Sequence, residues 1–122
     1  MESPIVIDSC DVEFVCSKVN DYKETIYFFK LIDTKLQKKL KPFRTLGKLE
    51  NGDKLPYWIT DNGEHIMKVK SKYVPKKESL VKGGRYNAQL EFVYYDMVDK
   101  GIKGYYTKIT GIKERVIEVD SD

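Results

Sequence analysis

In the stretch HIMKVKSKY, residues 65–73, Lys68, Lys70 and Lys72 occupy every second position. A β-strand turns alternate side chains to the same face, so their ammonium groups stand about 6.5 to 7 Å apart. The phosphates of an extended single-stranded nucleic acid are separated by a similar distance. The chain also carries nine Tyr, five Phe and one Trp. Bases stack on such rings for about 1–3 kcal/mol each, and tyrosine can do so at a wet surface while its hydroxyl stays satisfied. Two further basic features join them, Arg85 and the segment KLQKKLKPFR at residues 35–44. Together they describe a site in which Lys68, Lys70, Lys72 and Arg85 contact phosphates, with Lys38, Lys39 and Lys41 assisting from a flap. Tyr57, Tyr73, Tyr95 and Tyr105 are the aromatics expected at partly wet positions, where they would stack on bases. Alternating lysines also describe an ordinary solvated strand face, and lysine guards edge strands against aggregation. The coincidence of all these features in one small chain favours binding.

Other chemistry finds less support. His65 is the single histidine, so no Ser-His-acid grouping can be assembled. KGGRYN has two glycines but leads into a strand, where a phosphate-cradling loop would need a helix. Asp61 and Glu64 flank a turn and read as solvated. Cys10 and Cys16 lie six apart, with neither CxxC spacing nor a histidine partner. We therefore expect no enzyme, no metal and no cofactor. No apolar run approaches the roughly 18 residues of a membrane span, and the acidic start MESPIVIDSCDVEF lacks the basic region of a signal peptide. These features lead to the expectation of an intracellular protein, in the cytoplasm or nucleus, that is not secreted. The net charge is +3 and it is patterned. Glu2, Asp8, Asp11 and Glu13 are the only charges in residues 1–16, the end ERVIEVDSD is acidic again, and the basic segments lie between.

The elements that must position these groups are strands. A length of 122 residues fits one domain, 1–122, ending in a short acidic stretch at about 114–122. DVEFVCS alternates, ETIYFFKLI is β-branched and aromatic enough to be covered on both faces, and DTKLQKKLK could form one short helix capped by Asp33 and ended by Pro42. GKLENGDKLPYW holds a turn signal at Asn51-Gly52. Asn62-Gly63 reads as a two-residue type I′ hairpin turn. That register opposes Thr60 to His65, Ile59 to Ile66, Trp58 to Met67 and Tyr57 to Lys68. Trp58, Met67, Val69 and Tyr73 then share the core-facing side, and Tyr57 lies with the lysines. RYNAQLEFVYYDM puts Tyr86, Ala88, Leu90, Phe92 and Tyr94 inside. In IKGYYTKITGIKE either Lys103, Tyr105, Thr107 and Ile109 or Ile102, Tyr106, Lys108 and Ile112 could face inward. The sum is a mainly β, antiparallel protein of about five strands with at most one short helix. A closed or partly closed barrel would remove its edges.

The order PYWIT-DNGE-HIMKVKSKY, a basic loop, GGRYNAQLEFVYYD and KGIKGYYTKITGI resembles the small OB-fold single-stranded DNA-binding proteins of viruses and phages. Gly84, Tyr86, Phe92, Tyr95 and Gly101 occupy matching places, and the likeness spans roughly residues 55–112. It implies an OB-like five-stranded barrel that binds single-stranded DNA with little sequence choice, in DNA replication, recombination or repair. In such proteins an acidic tail recruits replication or recombination partners. The end VIEVDSD, with Glu118, Asp120 and Asp122, is short and has no terminal aromatic. An RNA-binding OB domain would use the same residues. A small protein-interaction accessory factor would instead use an exposed apolar or tyrosine-rich patch.

Overall fold

The computed structural model describes residues 5–32 and 56–114. The expected helix after Ile32, with Lys38, Lys39 and Lys41, lies outside the described residues, as do the Asn51-Gly52 turn and the acidic end beyond Glu114. The described strands are β1 (Ile5–Val19), β2 (Thr25–Leu31), β3 (Tyr57–Ile59), β4 (His65–Lys70), β5 (Arg85–Met97) and β6 (Ile102–Glu114). They form one antiparallel sheet in the order β3-β4-β2-β1-β5-β6. Three strands separate β4 from β6 in that order, yet the two pack against each other. The sheet is therefore curled into a half-barrel, with an inner face that is core and an outer face that meets solvent.

Among the described residues there are six strands, against about five expected; the shortest, β3, has three residues and pairs with the first half of β4. Among the described residues the only helical turns are three-residue 3-10 turns, at Ser71–Tyr73, Lys77–Ser79 and Val98–Lys100. None of the described helices is long and apolar enough to cross a membrane.

Three bulges explain the strands' mixed alternation, the first in β1 against β2 between Phe14 and Cys16, which puts Cys16 opposite Phe28 on the outer face. In β1 the pairing with β5 shifts between Ile7 and Cys10, so both turn inward and are buried although their spacing is odd. This is the usual effect of an inserted residue, which leaves part of the ladder unpaired and bends the strand. In β6 the shift falls at Thr110, since Leu90 pairs with Ile109 and Gln89 with Gly111. Tyr105, Thr107 and Ile109 face inward before it, and Ile112 after it.

The β3–β4 turn corrects the expected register. The Thr60 amide donates to the Glu64 carbonyl at 2.8 Å and the Gly63 amide to the Thr60 carbonyl at 2.9 Å. Gly63 alone in this turn has positive φ, +84°, so the loop has three residues closed by a left-handed glycine rather than a type I′ pair, which needs φ > 0 twice. Tyr57 therefore pairs with Met67, Trp58 with Ile66 and Ile59 with His65. A one-residue slip exchanges every side chain between faces. Tyr57 becomes fully buried with its hydroxyl on His65 Nδ1, and Trp58 moves to the outer face.

The KGGRY stretch is a structural tie. The Tyr86 hydroxyl accepts from the Val81 amide at 2.7 Å and donates to the Ser79 carbonyl at 3.2 Å, holding the loop before β5. A Cβ on Gly84 would meet the Val81 carbonyl oxygen at 2.9 Å. Only glycine lets that carbonyl come so close.

One core group lacks a partner among the described residues. Thr107 is 2% exposed and its hydroxyl makes no hydrogen bond. An unmade buried hydrogen bond costs about 1–3 kcal/mol. Thr107→Val, which replaces the hydroxyl by a methyl of similar volume, is expected to raise the thermal midpoint by several degrees in a calorimetric scan. An unchanged or lower midpoint would mean that the hydroxyl is satisfied in solution.

Candidate nucleic-acid interface

Strand pairing lays the outer face out as a grid. One row runs Lys18, Ile26, Lys70; the next runs Cys16, Phe28, Lys68; a third runs Arg85, Glu13, Lys30, Ile66, Trp58. Rows are about 6.5 to 7 Å apart along the strands and neighbours within a row about 4.8 Å apart. Lys68 and Lys70 are exposed on this face, and Lys72 is exposed in the following 3-10 turn. Arg85 lies on the same face beyond β1 and is held by Glu13, Nε to Oε1 4.0 Å. The strand lysines and Arg85 thus share a side of the sheet, with a carboxylate between them.

The lysines differ in how they are held. Lys70 pairs with Glu24 at 3.2 Å and Lys30 with Glu64 at 3.8 Å; Lys68 has no ion pair among the described residues. The hydrogen bond from Lys70, and then that from Asn20, holds the Glu24 carboxyl below its usual value of 4.5. A lowered folded value means the pair is intact at neutral pH and is lost only as pH falls through that lowered value.

The tyrosines separate into two groups. Tyr57 and Tyr105 are buried in the core, so neither ring is offered to a base; the hairpin register put Tyr57 there, and inward alternation of β6 put Tyr105 there. Tyr73 and Tyr95 are half-buried, and both converge on Tyr106. The Tyr73 and Tyr106 rings stack, centroids 4.8 Å apart and planes at 26°, and Tyr95 lies 6.3 Å from Tyr106. Lys72 Nζ sits 5.1 Å from the Tyr73 centroid, within cation–π range. Partial burial, then the neighbouring Tyr73, push the Tyr106 hydroxyl above its usual value, so it stays protonated.

The resulting arrangement is a basic track, Lys68, Lys70 and Lys72, that runs from β4 into a tyrosine trio where the curled sheet meets itself. Sequence reading missed Tyr106, because the β6 bulge hid which of its faces is outer. It also missed Trp58 and Phe28, whose rings meet edge to face at 6.1 Å on the outer face, and Tyr22, which is 84% exposed at the tip of the β1–β2 turn. An open cleft of about 350 Å³ lined by Pro75, Lys76, Asn87, Gln89 and Lys113, among others, shares no residue with either aromatic group. Among the described residues no cluster of His, Cys, Asp or Glu is placed to hold a metal ion.

Comparison of the chain with protein-family models, with curated proteins and with solved structures gives no match.

Proposed function

We propose that the protein binds single-stranded DNA, largely without regard to sequence, with replication, recombination or repair as its setting. The observation that carries this reading is the continuity of Lys68, Lys70 and Lys72 with the stacked Tyr73, Tyr106 and Tyr95. Positive charge that follows a backbone, next to rings that accept any base, is how single strands are held without base readout. Arg85 extends the positive charge across the outer face, and Lys38, Lys39 and Lys41, outside the described residues, are proposed as further phosphate contacts.

The strand order supports an OB-like barrel. Leaving β3 aside, the order is β4-β2-β1-β5-β6, with a long bulged first strand shared by both halves and the two outermost strands facing each other. That order is compatible with a five-stranded, partly open OB-type barrel, a fold that binds oligonucleotides across its second and third strands. Here those strands are β2 and β4, which carry Phe28, Lys68 and Lys70.

The test is fluorescence anisotropy of labelled oligo-dT of about 30 nucleotides against the matching duplex, over a range of salt. Binding should prefer the single strand, and log affinity should fall with log salt at about −0.7 per phosphate engaged. A competing oligo-U of equal length separates DNA from RNA preference. Absence of binding at low salt would sink the reading and direct attention to protein partners.

A further inference from the structure

Resting on that reading, we infer that Trp58 and Phe28 form a second base-stacking station, on the outer face of β2, β3 and β4 and distinct from the tyrosine trio. The three-residue hairpin turn carries the argument, because it sets Trp58 opposite Ile66 rather than Met67 and so takes the indole out of the core. Phe28, in the next row, meets it edge to face at 78°, and both rings are half-buried. Ile66, at 7% exposure, neighbours Trp58 in the same row and gives the pair a dry footing. The rings are thus fixed in orientation while part of each stays open.

Their surroundings select the ligand. Phe28 has Lys68 as its neighbour across β4 and Lys30 one step along its own strand. Lys18 Nζ stands 5.8 Å from the Phe28 centroid. Of these three lysines, Lys30 has a carboxylate partner in Glu64, while Lys18 and Lys68 form no ion pair among the described residues. Cations interleaved with ring faces at intervals of about 5 to 7 Å are complementary to a chain that alternates phosphates with flat bases. Lys68 borders both this station and the track to Tyr73, so one strand can lie along both.

Trp58 is the single tryptophan, so its emission reports this station alone. The full chain is titrated with oligo-dT of about 30 nucleotides, reading oligonucleotide anisotropy and Trp58 emission in parallel. Quenching that saturates together with anisotropy is expected. Trp58→Leu should weaken binding about tenfold, the loss of one stacked base, and Trp58→Phe should restore most of it, with thermal melts confirming that both variants fold. Saturating anisotropy with Trp58 emission unmoved, and Trp58→Leu binding like wild type, would remove this station while leaving the proposed function standing. No anisotropy change at low salt would remove both. Equal quenching by poly-glutamate, which has charge but no bases, would overturn stacking.

Discussion

Replacing Lys68 and Lys70 together by glutamate is expected to weaken oligo-dT binding between about 30-fold and about 1,000-fold at low salt. Two unit charges about 4 Å apart interact by about 1 kcal/mol in bulk water, and reversal converts each attraction into an equal repulsion. Two such changes come to about 4 kcal/mol unscreened, and about half of that where salt and mobility weaken the contacts. The two residues are exposed on the outer face and the Lys70–Glu24 pair that is lost is itself exposed and adds little to stability, so the loss can be read as binding. The salt slope is the sharper readout: removing two phosphate contacts should make it shallower by about 1.4. A control of opposite sign is available at Glu24, whose carboxylate holds Lys70 at 3.2 Å. Glu24→Gln frees that ammonium and should strengthen binding by up to about fivefold, the range of an exposed ion pair. If Lys68→Glu with Lys70→Glu leaves both affinity and salt slope unchanged, the basic track is a solvated face and nothing more.

Where the chain alternates without interruption, sequence was enough. Arg85–Met97 alternates cleanly and is found as a strand with those same bounds, with Tyr86, Ala88, Leu90 and Phe92 buried. Lys68 and Lys70 were likewise assigned to a wet face by period alone, and both are exposed. What escaped were places where one extra residue enters. At Ile7–Cys10 and at Thr110 a bulge switches parity within a strand, so a period-of-two pattern breaks although the strand continues. The start of β1 was unrecognised for that reason, and the faces of β6 stayed ambiguous. The hairpin turn acted in the same way. Asn-Gly is compatible with more than one loop length, and Thr60 bonding to Glu64 decided between them. That single choice exchanged the roles of Tyr57 and Trp58. Local pattern predicts faces only as far as the next inserted residue.

The same parity makes Phe28 and Phe29, adjacent in sequence, opposite in consequence. Phe29 is fully buried on the inner face, between Phe14 on β1 and Met67 on β4, with the Phe14 ring centroid 5.6 Å away. It therefore joins three strands of the curled sheet at one point. Phe29→Ala is expected to cost about 3–5 kcal/mol, the lost transfer energy plus the cavity left behind. Domains of this size have about 5–15 kcal/mol in total, so the melting midpoint should fall by well over 10 °C, or the variant should fail to fold. Phe28→Ala removes a half-buried ring from the outer face and should cost less, about 1–2 kcal/mol. On binding the order reverses. Phe28→Ala should lower affinity for oligo-dT by about tenfold, since it removes half of the Trp58 pair. Whatever fraction of Phe29→Ala folds should bind with nearly wild-type affinity, because its track is intact. Thermal melts and anisotropy on the two variants separate what holds the half-barrel together from what its outer face does. Equal destabilisation by both would mean that the outer face near Phe28 is covered in the folded chain, and the stacking station would then have no open surface on which to act.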